Sequence, residues 1–504
     1  MMAMRRNELH ARAETARHQA IGALLLGMLC ALPAAASADV QALEQRVAEL
    51  TRQLEEARRT LAAAKGEPIG TGALDAGADD AAVVSQKMIA PGVVAETDEA
   101  LDESAPESTV LKIGPVTVGG AMRVNYVLGS YKVQEAVAGP NRGGNGGNIE
   151  LDTFRLNLAL DYENIIGRLE YRWYAAGTGK SYNFLHTGWL GYRFADDSEV
   201  QVGVNRVPFG PGPYGVSQSW FFDQHYYVGL SDDMDLGIKY STTIDQWKLD
   251  AAYYPSSEGS YFGRSLNSTR YSYDAVRWEE SVDADGNVSF GGEHNGFDER
   301  NQLNLRAIYS LADTAIPTDL GVSLQYGQLK GQRTDDGSHW AASAHMVNRM
   351  GPLTVASQLT RYEYDIDSDN PWGTDTLIPM GAYDFAWPVA TKAWIPAVSV
   401  SYLVETPQIS WLDSVLPYIE YSSIVKDESD FNDSQMWVAG AAWASGGWYI
   451  YSDLAYSNGN YFVGNEAAGG GMDDYGRIDG VGDFGVNGND KWNYRFNINL
   501  GYYF

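Results

Sequence analysis

The sequence predicts an all-β fold, a 16-stranded antiparallel transmembrane β-barrel preceded by a short N-terminal coiled-coil helix. Segments of about ten residues alternate apolar and polar side chains from Val116 onward, and a strand that crosses a bilayer at a tilt needs about 9–11 residues. Connections between the segments alternate between short and long, and the last segment ends on the aromatic Phe504. A soluble sandwich shares the first feature but has no reason for the alternating loop lengths, so the barrel is favoured.

Composition excludes several classes of function. The 504 residues include 36 Lys+Arg and 65 Asp+Glu, which gives a formal net charge of -29, and a nucleic-acid binder needs a basic surface instead. The single cysteine is Cys30, so the chain after it offers no disulfide framework, thiolate zinc site or cysteine nucleophile. We therefore expect no nucleic-acid partner.

Residues 1–38 have the layout of a secretory signal peptide. A basic leader that includes Arg5 and Arg17 precedes the apolar run 21–32, and the small residues 36–38 suit cleavage after Ala38. A transmembrane anchor is the alternative, but the apolar run is too short to cross a hydrocarbon core of about 30 Å as a helix.

Residues 39–65 predict a periplasmic coiled coil. Apolar side chains recur at a spacing of three and four residues, and such a stripe is buried only against another helix: Val40, Leu43, Val47, Leu50, Leu54, Ala57 and Leu61. We favour self-association as a homotrimer, and a single helix docked on the barrel is the alternative. Residues 66–110 are rich in Gly, Ala, Asp and Glu without periodicity, and they predict an acidic flexible linker.

Residues 111–504 form the predicted outer-membrane β-barrel domain. Its sixteen predicted strands are 116–128, 151–162, 166–176, 184–194, 199–208, 234–241, 245–254, 301–311, 318–330, 338–348, 352–364, 393–404, 413–424, 433–443, 446–457 and 491–504. Aromatic residues near the strand ends predict interfacial girdles. The terminal strand ends on Phe504 after five alternating apolar positions, a signal that the outer-membrane assembly machinery of Gram-negative bacteria recognises.

Alternation within the strands sorts the charged side chains into two faces. Six acidic side chains fall on the inner face, Asp161, Glu170, Asp235, Asp250, Glu420 and Asp453. Nine basic side chains fall on the same face and are the predicted pore-lining and solute-binding residues: Arg123, Arg155, Arg168, Arg172, Arg193, Lys239, Lys248, Arg306 and Arg495. An excess of bases in a low-dielectric channel attracts anions. Paired Arg and Glu ladders that only brace the wall are the alternative interpretation.

Two long loops are candidates for the segment that narrows the pore. Loop 209–233 contributes Trp220, Phe221, Phe222, His225 and Tyr226, and loop 255–300 contributes Arg264, Arg270 and Arg277. Guanidinium groups can hold a carboxylate or phosphate with two hydrogen bonds. A loop that merely packs over the barrel mouth is the alternative.

The sequence offers no catalytic motif. The seven histidines are scattered, and no HExxH, nucleophile elbow or P-loop occurs. Residues 283–287 hint at a calcium loop, but Val288 and His294 occupy the positions of its glycine and its bidentate Glu, so we interpret them as a turn. We interpret the acidic stretch 473–490 as a solvated loop, and collection of divalent cations is the alternative. We expect no enzyme activity, no cofactor and no metal site.

A resemblance to a known family rests on four short segments. The stretch Gly203-Val204-Asn205-Arg206-Val207-Pro208-Phe209-Gly210 resembles the G-x-x-K/R-x-P-F-G segment of the phosphate-selective porin O/P family. Met234-Asp235-Leu236-Gly237 is similar to the family's R-D-L-G stretch, with Met234 at the arginine position, and residues 119–123 and 154–156 resemble its first two strands. The resemblance implies a trimer of sixteen-stranded barrels that passes small anions.

The predicted function is passive diffusion of small anionic solutes, phosphate or small carboxylates, through the outer membrane of a Gram-negative bacterium. Expected partners are two further copies in a homotrimer, outer-membrane lipid and lipopolysaccharide, the solutes, and the assembly machinery through Phe504. A general or carbohydrate-permeable porin, or a structural outer-membrane anchor with a periplasmic tether, are the alternatives.

Overall fold

The structure is a computed structural model that describes residues 111–130, 148–176, 180–263, 265–278, 280–282, 288–290, 295–370, 373–460, 462–463 and 492–504. The predicted signal peptide, coiled coil and linker all lie outside these residues. Within the described ranges, no helix is both long and apolar enough to cross a membrane.

Sixteen antiparallel strands form one closed barrel, because the first strand pairs with both the second and the last. The sixteen predicted segments are thereby confirmed. The strands are Val116–Gly129 (β1), Asn148–Tyr162 (β2), Ile165–Ala176 (β3), Lys180–Arg193 (β4), Glu199–Arg206 (β5), Met234–Ile244 (β6), Trp247–Ser257 (β7), Gly296–Leu311 (β8), Thr318–Gln332 (β9), Gly337–Met350 (β10), Leu353–Asp365 (β11), Lys392–Tyr402 (β12), Ser414–Lys426 (β13), Ser434–Ser445 (β14), Trp448–Asn458 (β15) and Trp492–Tyr503 (β16).

Short elements accompany the barrel. Leu111–Ile113 extends the sheet beside the start of β1, and Val404–Glu405 continues the edge of β12 against β13. Within the loops lie a 3-10 turn, Tyr226–Val228, a hairpin, Glu280–Val282 with Val288–Phe290, and a three-stranded sheet, Asp274–Ala275 with Leu377–Ala382 and Phe385–Ala390. The chain end closes the barrel, since the Gly120 N–H donates to the Phe504 carbonyl at 2.8 Å.

The two ends of the barrel differ in their connections. At one end, tight turns include 351–352 and 446–447, where Gly351 (φ 61°) and Gly446 (φ 55°) supply the left-handed backbone that two-residue hairpins favour. At the other end lie the long connections 207–233, 258–295 and 366–391, together with the short 333–336. The long loops therefore gather at one mouth of the barrel.

The two faces of the barrel wall differ in polarity. On β9, Ser323 and Gln325 are 0% and 6% exposed on the inner face, whereas Leu324 between them is 54% exposed on the outer face. Because alternate side chains of a strand point to opposite faces, this contrast continues around the sheet. Large apolar residues exposed on the outer face include Leu303, Leu305, Val322, Leu359, Ile419 and Leu454.

We expect Leu324→Arg to destabilise the barrel by about 2–4 kcal/mol, because a charged side chain near the middle of a lipid-facing strand must leave water. Urea unfolding in phospholipid vesicles measures the effect, with Leu324→Ala as the control for lost apolar surface. Equal unfolding free energies for the two variants would contradict a lipid-facing position for residue 324.

Candidate pore constriction

The connection between β5 and β6, residues 207–233, folds into the barrel. Almost all of its side chains are buried, although it contains no long helix or strand. Two backbone hydrogen bonds join its first and last residues and form its base. The Val207 N–H donates to the Asp233 carbonyl at 2.9 Å, and the Asp232 N–H donates to the Pro213 carbonyl at 2.8 Å. We call these residues the inward loop.

The shape of the inward loop depends on Asp223. Its carboxylate accepts hydrogen bonds from the backbone N–H groups of Val216 at 3.0 Å and His225 at 2.8 Å. Gly215 has a φ of 64°, and a Cβ there would lie 2.5 Å from an Asp223 oxygen. Glycine is therefore required at this position on both backbone and steric grounds.

The inward loop is hydrogen-bonded to the far side of the barrel. Strands β9, β11, β13 and β15 each supply at least one partner. The bonds join Gly210 N–H to Ser323 Oγ (3.0 Å), His225 Nε2 to Thr360 Oγ1 (2.8 Å), Gln224 N–H to Ser422 Oγ (3.1 Å), Gln218 N–H to Glu420, Ser217 Oγ to Glu420 (2.7 Å) and Trp220 N–H to Asp453 (2.9 Å). The loop is thus held across the lumen at many points.

A basic surface faces the lumen on the strands where the barrel closes. Arg495 of β16, Arg123 of β1, Arg155 of β2, and Arg168 and Arg172 of β3 lie on the inner face of adjacent strands, and we call them the arginine wall. Neighbouring strands lie about 4.8 Å apart, so these guanidinium groups share one region of the lumen.

Acidic partners neutralise part of the arginine wall. Arg123 pairs with Asp152 at 3.0 Å, and Glu170 lies between Arg172 and Arg155, with 3.6 Å to the latter. The two remaining members also have polar contacts, since Arg168 donates to the Gly167 carbonyl and Arg495 donates to the Phe462 carbonyl and the Asn497 amide. The wall therefore combines braced pairs with guanidinium groups that are bound to neutral acceptors.

The other four basic residues predicted from the sequence also lie on the inner face. Arg193 pairs with Glu199 at 2.7 Å and Arg306 with Asp250 at 2.8 Å. Lys239 donates to the Arg206 carbonyl at 3.1 Å, and Lys248 is partly buried on β7. The pairs of Arg193 and Arg306 match the alternative interpretation of charges that brace the wall, and a role toward solute stays a prediction.

Aromatic side chains of the inward loop meet the arginine wall. The Arg495 guanidinium lies 4.8 Å from the ring centre of Trp220 and 5.4 Å from that of Phe221. Phe222 stacks on Tyr226 with ring centres 4.4 Å apart, and Tyr226 shares a hydroxyl hydrogen bond with Tyr383 of loop 366–391. His225, by contrast, is fully buried between Asp223 and Thr360 and acts as an anchor.

The described arginines of the second candidate loop contact carboxylates. Arg270 is buried and pairs with Asp274 at 2.8 Å, Arg277 lies 3.4 Å from Asp298, and Arg264 lies outside the described residues. The guanidinium groups of Arg270 and Arg277 therefore contact carboxylates that lie close to them, and a role of these arginines toward solute stays a prediction.

Sequence reasoning missed the group that fixes the exit of the inward loop. Asp232 is paired with Arg206 at 2.9 Å, accepts a hydrogen bond from the Tyr271 hydroxyl, and lies 3.8 Å from His186. Although burial alone would raise it, Arg206 and then His186 hold the pKa of Asp232 well below its ordinary value. No motif links these residues, so only the juxtaposition of four chain segments reveals the group.

Comparisons with known proteins found similarity to solved structures at low sequence identity. No family model and no curated protein matches it. Among solved structures, it is similar to OmpT of Vibrio cholerae in its in-vitro folded trimer form, with 12% identity, 78% of this chain and 100% of that chain covered, and a TM-score of 0.46. It is similar to the outer membrane channel DcaP of Acinetobacter baumannii, with 10% identity, 79% and 99% covered, and a TM-score of 0.46. It is also similar to an anion-selective porin from Comamonas acidovorans, with 12% identity, 77% and 99% covered, and a TM-score of 0.41.

Likenesses this distant carry no functional argument, so the assignment of location rests on the barrel itself. Its strands close without a free edge, its outer face is apolar, and its inner face is polar and charged. A barrel with this construction lies in the outer membrane of a Gram-negative bacterium.

Proposed function

We propose that this protein is a porin, a channel for passive diffusion of small anionic solutes such as phosphate or small carboxylates. The observation that carries the proposal is the inward loop, which is hydrogen-bonded to β9–β15 while the arginine wall lines the strands beside the barrel closure. A segment folded into a wide barrel reduces the cross-section of its channel. The solute path that we propose runs past Arg123 and Arg168, the members of the arginine wall that are partly exposed, since Arg495 packs on Trp220 and Phe221 of the inward loop.

The chemistry of this path favours anions. Guanidinium groups bind carboxylate and phosphate oxygens through charge-assisted hydrogen bonds, and a low-dielectric wall strengthens their field. Because Arg155 and Arg172 also bind Glu170, a solute competes with an internal carboxylate and is released again. Conduction needs such weak binding at several positions.

Membership of the phosphate-selective porin O/P family is part of the proposal. The resembling stretch 203–210 forms the end of β5 and the entry to the inward loop. In that stretch Arg206 pairs with Asp232, and Gly210 has a φ of 72° and donates to Ser323. These contacts give the residues of the motif a physical role at the constriction.

The same proposal includes the parts of the chain outside the described residues. The signal peptide exports the chain, and residues 39–65 form a periplasmic coiled coil that supports a homotrimer. We further propose contacts of the outer face with lipid and lipopolysaccharide, and recognition of the terminal strand by the assembly machinery. The side chain of Phe504 is 38% exposed beside β1, which leaves it accessible to a partner.

Planar-bilayer recording tests the proposal. We expect the mature protein to give conductance steps in threes and, across a KCl gradient, a reversal potential of the sign that anion permeation produces. A reversal potential of the opposite sign would contradict anion selectivity, and equal swelling rates of proteoliposomes in charged and neutral solutes would favour a general or carbohydrate-permeable porin. A complete lack of conductance would favour the structural anchor.

A further inference from the structure

Five carboxyl groups are buried together where the inward loop ends under loop 258–295. Asp233 and Asp235 come from the loop exit and β6, Glu258 and Asp274 from loop 258–295, and Glu299 from β8, and none is more than 6% exposed. One carboxylate oxygen from each of Asp233, Asp235 and Asp274 lies within 4.8 Å of the other two. We call these five residues the carboxylate cluster.

Hydrogen bonds orient part of the carboxylate cluster. The Ser272 N–H donates to Glu258 at 2.9 Å, the Ala275 N–H donates to Glu299 at 2.8 Å, and the Gln302 amide donates to Asp235 at 2.9 Å. One guanidinium, that of Arg270, pairs with Asp274 at 2.8 Å. The cluster is therefore positioned by backbone and side-chain donors, but among the residues that the structure describes one guanidinium pairs with a group of five carboxyls.

Three oxygens of the cluster accept no hydrogen bond. These atoms are Oδ1 of Asp233, Oδ1 of Asp235 and Oε2 of Glu258, and each is shielded from solvent. Asp233 and Asp235 are 5% and 1% exposed, and each contributes one carboxylate oxygen to the converging group. Burying a hydrogen-bond acceptor without a donor costs about 1–3 kcal/mol, and more for a charged group. Three such oxygens in one cluster therefore favour binding of a positively charged ligand.

We infer that Asp233, Asp235 and Asp274 bind a divalent metal cation, with Glu258 and Glu299 available as further oxygen ligands. Every potential metal ligand in the cluster is a carboxylate oxygen, and such oxygens bind hard cations. Copper(I) and iron–sulfur clusters prefer sulfur ligands, so they do not fit this site. Calcium fits better than magnesium because it accepts many protein oxygens in irregular geometry, whereas magnesium retains several waters.

The cation would join segments that are separate in sequence. Its ligands lie at the end of the inward loop, on β6 and in loop 258–295, so binding ties the constriction to the cover of the barrel mouth. The inference departs from the expectation of no metal site, and it stands independently of which solute the barrel passes.

Calcium binding to the purified, EDTA-treated full chain in detergent tests the inference. Equilibrium dialysis with radioactive calcium should give a saturable site in each chain, and saturating calcium should raise Tm by at least about 3 °C. The variant Asp233→Asn/Asp235→Asn should lose at least about tenfold in calcium affinity, because two charged ligands become neutral, and it leaves Asp274 in place as the partner of Arg270. Without calcium it should melt no lower than the wild type, since neutral amides remove repulsion between buried charges.

Asp298→Asn is the matched control, because Asp298 neighbours Glu299 on β8 but pairs with Arg277 instead of joining the cluster. This variant should bind calcium as the wild type does. Should the double variant fail to fold, Asp233→Asn alone takes its place, since its Oδ1 accepts no hydrogen bond that the substitution would break. Absence of calcium binding to the wild type would overturn the inference, as would unchanged affinity in the cluster variant, which would place the cation elsewhere.

Discussion

Replacing residues 214–231 with Gly-Gly is expected to raise single-channel conductance roughly threefold, because the segment that crosses the lumen is removed. The design retains the base of the inward loop, where the Asp232 N–H already donates to the Pro213 carbonyl at 2.8 Å. It also retains the pair of Arg206 with Asp232 and the bond from Gly210 to Ser323. The strand ladder does not involve the deleted residues, so the barrel should still close.

Single-channel recording in concentrated KCl measures this effect. The control replaces residues 428–431 with Gly-Gly, since they lie in the connection between β13 and β14 and are exposed or half-buried. The control should keep the conductance of the wild type. Unaltered conductance in the inward-loop deletion would show that another segment limits the current.

The second large effect is expected from Arg123→Ala/Arg155→Ala/Arg168→Ala, which should lower the ratio of anion to cation permeability by on the order of tenfold. Each guanidinium in a water-filled channel stabilises a nearby anion by about 0.5–1 kcal/mol. Three of them therefore contribute about 1.5 kcal/mol or more, and a tenfold ratio corresponds to about 1.4 kcal/mol. Arg172 is left in place because it holds Glu170, so the substitution does not strand that carboxylate without a partner.

The reversal potential across a KCl gradient measures the ratio. The matched control, Lys330→Ala/Arg361→Ala/Lys392→Ala, removes the same number of positive charges from residues that pair with Asp336, Asp427 and Glu363 away from the arginine wall. It should leave the reversal potential unchanged. An equal shift in both triple variants would mean that net charge, and no particular wall, sets the selectivity.

Prediction of the barrel succeeded because its signals are local. A strand alternates its faces at every residue, so the sequence around Leu324 already shows which side chains face outward. The same alternation put Arg155 and Arg306 on the inner face, where the structure has them. Turn residues such as Gly351 and Gly446 likewise mark hairpins without information from the rest of the chain.

The loops could be identified from the sequence, but their partners could not. Trp220 is bonded to Asp453 and Gln218 to Glu420, more than two hundred positions away, because closing the barrel places β13 and β15 opposite the exit of β5. The sequence makes Arg270 a candidate of the constriction loop, because its sequence neighbours do not reveal that it faces Asp274 inside an acidic group.

The sequence by itself therefore determined the number of strands, the face on which their charged side chains lie, and two loops that could enter the lumen. Tertiary structure alone decided which of the two loops crosses the lumen and which strands it binds. It also decided which wall arginines pair with carboxylates and which with neutral acceptors, and where Asp233, Asp235 and Asp274 converge. The physical reason is that side-chain alternation is a property of neighbouring residues, whereas charge pairing across a lumen depends on the curvature and closure of the whole sheet.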